Sequence, residues 1–203
     1  MWQEDKKDVE YWSNFYKEFS EEKPSLFAEF VENFIPNSKK FCNMIELGCG
    51  NGRDLKYFAS KGHMIYGVDL ACTPEIGRNY VINIGDFTNL PKFNRIDIIY
   101  SRFTIHSIDE NDEDKVLQWA TDNLASDDLF CVEARTIRDS IYGVGTKVAE
   151  HSYISDHFRR FIDPNIFKSK LKDFDILYFV EDKNLSPYKD ENPTLMRIIA
   201  RKK

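Results

Sequence analysis

An α/β fold with a mostly parallel sheet follows from three features of the sequence. Residues 44–61 pass from a short apolar run (Met44, Ile45, Leu47) through Gly48, Gly50 and Gly52 into an amphipathic stretch, Asp54 to Lys61. That is the pattern of a buried parallel strand, a tight turn and a helix start. Further short apolar runs recur at Met64–Leu70, Tyr80–Ile84, Ile96–Tyr100 and Leu129–Ala134. Between the last two lies an amphipathic helical stretch, Glu110–Leu124, with an acidic first turn that suits the helix dipole.

The first forty residues read as helical and aromatic. Tyr11, Trp12, Phe15 and Tyr16 recur at helical spacing, and Leu26, Phe27, Phe30, Val31 and Phe34 form an apolar stripe. Ser25 is placed to cap the second helix and Pro36 to end it. Both helices are expected to cover one face of the sheet. Tyr11, Trp12 and Tyr16 either belong to that cover or lie over a ligand.

The glycines after the first strand allow positive φ and let a ligand approach the backbone without a Cβ in the way. The helix that follows presents free N–H groups, suited to a carboxylate or phosphate. Their spacing, GxGxG, is neither the GxGxxG of dinucleotide folds nor a P-loop. The second strand ends in Asp69, where an acid can accept from ribose hydroxyls. The next segment, ACTPEIGRN, contains Pro74 and Gly77 and is too short for a full crossover helix, so a turn or two is expected. Tyr80–Ile84 then runs into Gly85, Asp86 and Phe87, and Ile96–Tyr100 into Ser101–His106 (SRFTIH). Asp163–Pro164 pairs an N-cap with proline at the first helical position, opening a helix to about Leu171. Ile176–Val180 and Leu195–Ala200 read as the last strands.

Composition excludes several classes. The chain of 203 residues is expected to form one domain, and with 42% hydrophobic residues and 16 Phe it is not disordered. A net charge of −6 argues against a nucleic-acid surface. No apolar stretch has membrane-spanning length, and the start lacks a signal peptide's apolar core. Cys42, Cys49, Cys72 and Cys131 form no CxxC, so neither a metal site nor a redox pair is expected, and free thiols fit the cytoplasm.

An acid within the first strand followed by GCGNG, then Asp69, then Gly85-Asp86-Phe87, then SRFTIH, resembles in order the motifs of S-adenosylmethionine-dependent methyltransferases with a Rossmann-like fold. The resemblance implies a seven-stranded, mostly parallel sheet whose last strand is antiparallel. It implies S-adenosylmethionine as cofactor and S-adenosylhomocysteine as product. Gly48, Cys49, Gly50, Asn51 and Gly52 would lie against the amino-acid portion, Asp69 on the ribose and Asp86 and Phe87 at the adenine, with Glu46, Asp54, Leu70 and Ser101 also binding the cofactor. Tyr11, Trp12 and Tyr16 would lie beside the methionine end.

The acceptor is read from residues 135–162, a long connection without obvious secondary structure that leaves a strand's C-terminal end, where open α/β sheets bind ligands. It is expected to act as a lid, and it holds Arg135, Arg138, Lys147, Arg159 and Arg160 in an acidic protein. Such a cluster fits an anionic acceptor, with Arg135, Arg159 or Arg160 in contact; each Arg alone fits an ion pair with a neighbouring acid equally well. His106 is the first candidate base by position, ahead of His151 and His157, or else a packed, hydrogen-bonded histidine. Without an Asn/Asp-Pro-Pro-Tyr/Phe motif after the fourth strand, a small or carrier-linked metabolite is favoured. The chain resembles small bacterial methyltransferases of surface- and capsular-polysaccharide clusters. That implies O-methylation of a sugar, phosphate or phosphoramidate group; N- or S-methylation (thiol or tellurite type) and a non-catalytic regulator or partner subunit are the alternatives. Oligomeric state is not legible.

Overall fold

The computed structural model describes residues 3–18, 22–36, 41–188 and 190–203, the side chains of 3–6 excepted; residues 1–2, 19–21 and 37–40 of the expected helical cover lie outside them. Two helices come first, α1 (Gln3–Glu18) and α2 (Leu26–Phe34). Then follow β1 (Asn43–Leu47), α3 (Arg53–Ser60), β2 (Met64–Asp69), β3 (Glu75–Ile76), β4 (Tyr80–Ile84), β5 (Ile96–Arg102), α4 (Glu110–Asn123) and β6 (Leu124–Arg135). The rest comprises β7 (Thr146–Ala149), β8 (Ser152–Ile154), β9 (Phe158–Arg160), α5 (Pro164–Lys170), β10 (Phe174–Asp182) and β11 (Leu195–Lys202).

The central sheet has eight strands in the order β10-β11-β6-β5-β1-β2-β4-β3. β1 runs parallel to β2 and β5, with Leu47 opposite Val68 on one side and Ser101 on the other. This register brings the C-terminal ends of three strands to one edge, so Gly48, Asp69 and Arg102 emerge together. The last strand, β11, is antiparallel to both β6 and β10, as expected. Alternation along β1 divides the core: Ile45 and Leu47 pack with Val116, Ala120 and Phe167 from α4 and α5. Met44 packs with Phe27, Val31, Leu55 and Phe58 from α2 and α3. Each fully buried Leu or Phe contributes about 1.5–3 kcal/mol, so Leu55 and Phe58 suffice to dock the two-turn helix α3 behind the glycine turn.

Three expectations are corrected. The sheet has eight strands rather than seven, because the segment after β2 forms no helical turn. Extended Glu75 and Ile76 instead pair antiparallel with Ile82 and Val81. Pro74 denies the preceding residue the helical region, and Lys56 Nζ holds Glu75 at 2.7 Å. Second, β6 begins at Leu124 rather than Leu129; Asp128, fully buried, accepts from Ala125 N at 3.0 Å and anchors that extension. Third, residues 135–162 are not structureless. β7, β8 and β9 form a separate antiparallel sheet, in which Ser152 faces Arg160. The caps fall where expected: Ser25 accepts from Ala28 N, and Asp163 from Asn165 N with Pro164 beginning α5. Among the described residues no helix is long and apolar enough to cross a membrane.

Candidate active site

Gly48, Gly50 and Gly52 have φ of 68°, 54° and 74°, the left-handed region that favours glycine. A Cβ on Gly48 would lie 2.5 Å from Thr104 Cγ2, and one on Gly50 2.6 Å from Tyr16 Cζ. Tyr16 thus rests directly on the turn. Asp69 binds the same turn from below: its Oδ2 accepts from Gly50 N at 3.1 Å and its Oδ1 from Ala71 N at 2.7 Å. Burial raises the Asp69 pKa, and these two bonds oppose the rise.

Two buried side-chain atoms at this edge have no hydrogen-bond partner, Glu46 Oε2 and Ser101 Oγ. Desolvation, then the charge of Asp54, pushes the Glu46 carboxyl well above its usual range, with Arg102 pulling the other way. An orphaned, desolvated acceptor costs stability unless a ligand donates to it.

The other expected cofactor residues divide. Asn51 is engaged locally, accepting from Arg53 N at 3.3 Å. Leu70 is exposed, and Phe87 packs on the core. Asp86 caps its own loop through Thr88 N at 2.8 Å. Asp54 enters a buried network: Ser25 N and Ser25 Oγ donate to it at 2.7 Å each, and Tyr100 OH at 2.8 Å. Cys49 and Cys72 come together although no sequence motif pairs them, and the Cys72 thiol donates to Asp69 O at 3.3 Å. Tyr11 and Trp12 pack on His157, at ring separations of 4.3 and 4.9 Å, and Trp12 also stacks on Tyr16 at 6.0 Å, which links the turn to the His157 side.

A second cluster stands beside the end of β5. Phe103 has φ 59°, a strained setting for a bulky residue, with the Arg102 guanidinium 4.2 Å from its ring centroid. Glu133 gathers Arg102 Nε at 3.0 Å, Arg197 Nε at 2.6 Å and Ser186 Oγ at 2.8 Å. Burial works against the Arg102 charge, but Glu133 and Asp54 hold it protonated. His106 is buried, and its Nδ1 accepts from Arg135 N at 3.1 Å. Burial, then the charges of Arg135, Arg159, His157 and Arg160, lowers its pKa well below the usual range.

The three expected arginines differ. Arg160 Nη2 lies 2.5 Å from Glu113 and its Nε donates to Ile108 O at 3.0 Å, so it ties β9 to α4. Arg135 donates to Asp139 at 3.2 Å and Glu191 at 2.5 Å. Arg159 meets His157 Nε2 at 2.9 Å, and its nearest carboxylate among the described residues, Asp156, is 4.0 Å away. Burial and then Arg135 lower the Arg159 pKa. Among the described residues, no three His, Cys, Asp or Glu side chains cluster to hold a metal.

An open sheet with a glycine turn at β1, an acid at the end of β2 and an antiparallel final strand defines a Rossmann-like α/β enzyme. Residues 16–164 match the methyltransferase-domain family model, and the chain belongs to that family: it is a methyltransferase. Among solved structures, it resembles an S-adenosylmethionine-dependent methyltransferase from Methanosarcina mazei at 14% identity and TM-score 0.70, covering 85% of this chain and 96% of that one. It also resembles the 1,6-didemethyltoxoflavin-N1-methyltransferase of Burkholderia thailandensis, solved with that compound and S-adenosylhomocysteine, at 16% identity and TM-score 0.67, covering 87% and 76%. A Mesorhizobium loti S-adenosylmethionine-dependent methyltransferase matches at 13% identity and TM-score 0.64, covering 88% and 98%. No curated protein matches the sequence significantly.

The sequence did not single out Arg102, Phe103, Glu133 and Glu191. Only the positive φ at Phe103 and the shared Glu133 carboxylate mark them, and both require the fold.

Proposed function

We propose that this methyltransferase uses S-adenosylmethionine to O-methylate a small or carrier-linked anionic acceptor, such as a phosphate or phosphoramidate substituent on a capsule-type sugar precursor. When bound, the cofactor supplies a methyl group on a sulfonium, which needs no metal to activate it. The residues around the turn fit it. Glu46 Oε2 lacks a donor that an ammonium would provide, Asp69 keeps lone pairs for ribose hydroxyls, and the glycines hold the left-handed turn against which Tyr16 and Thr104 pack.

The observation that supports the anionic acceptor is Arg159, a half-buried guanidinium with no carboxylate closer than 4.0 Å among the described residues, beside Arg135. A guanidinium held out of water beside a like charge favours an incoming anion. Tyr11, Trp12 and His157 wall the same side, so the small β7–β9 sheet and α1 together form the lid. We place the enzyme in the cytoplasm and read residues 1–203 as a single domain.

Kinetics test this. Arg159→Ala should raise the acceptor KM with little change in cofactor affinity, because the arginine lies outside the glycine turn. Equal turnover of a sugar phosphate and the uncharged sugar, or unaltered kinetics in Arg159→Ala, would contradict the anionic reading.

A further inference from the structure

His106 is the side chain whose chemistry the fold constrains most tightly. It sits in the 3-10 turn Ile105–Ser107 after β5, and its ring lies 5.5 Å from Phe103. The Arg135 backbone N–H points at Nδ1 from 3.1 Å. A backbone N–H can only donate, so Nδ1 must carry a lone pair, and the single proton of neutral imidazole lies on Nε2. Protonating Nδ1 would set two N–H groups against each other in a buried place. The charged groups around the ring act in the same direction: Arg135, Arg159 and Arg160 all oppose a further positive charge.

The carboxylates nearby do not reverse this. Asp139 and Glu191 are held by Arg135, Glu113 by Arg160 and Lys170, and Asp156 by Ser155, Tyr11 and His157. Among the described residues, no acceptor lies within hydrogen-bonding distance of Nε2. Its N–H therefore remains available beside Arg159.

We propose that His106 is a fixed Nε2–H hydrogen-bond donor rather than a base, and that with Arg159 it holds an oxygen that is already anionic when the acceptor binds. This deepens the anionic-acceptor reading above and rests on it. The acceptor oxygen's lone pair forms the new O–C bond as the C–S bond of the donor breaks, its electron pair passing to sulfur. The oxyanion becomes an ester, the sulfonium a neutral thioether, and no proton is released. A neutral hydroxyl would have to lose a proton, and His106 has no free nitrogen to take it. The substrate class is thus oxyanions, phosphate-type or carboxylate, and not alcohols.

Nitrogen NMR of the histidine rings tests the donor state without turnover. The His106 proton should reside on Nε2 across about pH 5–8, where an ordinary histidine titrates, and inorganic phosphate should shift that signal in wild type but not in Arg159→Ala. Three variants extend the test. His106→Asn keeps an acceptor for Arg135 N–H but loses the distal donor; His106→Gln keeps a distal donor but cannot be a base; His106→Ala loses both. With a sugar phosphate, Gln should outperform Asn, and Asn should fall about 10- to 100-fold, as for a lost charge-assisted hydrogen bond. A proton on Nδ1, no response to phosphate, or Gln as inactive as Asn would overturn the proposal. Absence of S-adenosylhomocysteine binding by calorimetry would instead refute the methyltransferase reading beneath it.

Discussion

Replacing Asp54 separates a scaffold role from a cofactor role. Three hydrogen bonds converge on its carboxylate, from Ser25 N, Ser25 Oγ and Tyr100 OH, and the residue is 2% exposed. Bonds to a charged acceptor contribute about 1.5–3 kcal/mol each, but they do not simply add here. Ser25 Oγ and Tyr100 OH are 3.2 Å apart and would bond to each other once the carboxylate is gone. That leaves the Ser25 N–H as the stranded donor, together with a small cavity. Asp54→Ala should therefore cost about 3 kcal/mol, or about 6–12 °C in Tm for a chain of this size. Asp54→Asn should cost roughly half as much, since both hydroxyls can turn to accept from the amide. Urea unfolding followed by tryptophan fluorescence gives the stabilities, and calorimetry on folded Asp54→Asn gives the cofactor affinity. A stability loss under about 1 kcal/mol, or weakened S-adenosylhomocysteine binding in a variant as stable as wild type, would refute the scaffold assignment.

The two neighbouring arginines of β9 should behave differently. Arg160→Ala breaks a buried pair with Glu113, which Lys170 still partly neutralises at 2.8 Å, so a loss of about 2–3 kcal/mol in stability is expected; unchanged urea midpoints would show that the pair contributes nothing. Acid should weaken the fold through His157, whose pKa burial and then Arg159 lower to about 4, although Asp156 acts against them. Between that value and the ordinary 6.5 the unfolded chain binds a proton that the folded chain refuses, so stability falls as pH drops through this window. The contribution is about 3 kcal/mol, and urea midpoints at both ends of the window should differ less in His157→Phe, which keeps a ring against Tyr11 and Trp12; equal pH sensitivity in the variant would contradict it.

What the sequence revealed and concealed follows from the range of each interaction. The glycine turn was legible because its cause is local: three glycines sit between an apolar strand and an amphipathic helix, and their positive φ values follow. Asp69 was legible because strand ends are fixed by the same alternation. Asp54 has scaffold bonds that were not legible, for the opposite reason. It lies two residues beyond the turn, but its partner Ser25 is 29 residues away, and only the docking of α2 reveals the bond. The arginines show the same limit. Arg135 and Arg160 meet Glu191 and Glu113 across 56 and 47 residues, so charge clustering alone could not separate ion pairs from an anion site. The β7–β9 sheet escaped notice because its strands are three or four residues long, too short to show period-2 alternation. The missing crossover helix was legible, its replacement by β3 was not, since two extended residues carry no pattern of their own.

The central claim is that the β1 turn and Asp69 form the cofactor site of a methyltransferase. Calorimetry of S-adenosylhomocysteine with wild type and Asp69→Ala tests it most directly. Asp69 also steadies the turn through Gly50 N, so a circular-dichroism melt should accompany the titration. Wild type is predicted to bind one equivalent per chain, and folded Asp69→Ala to bind about 10- to 100-fold more weakly, as expected when hydrogen bonds to a charged acceptor are lost. Equal affinity in the two proteins, or no binding to wild type, would contradict the account.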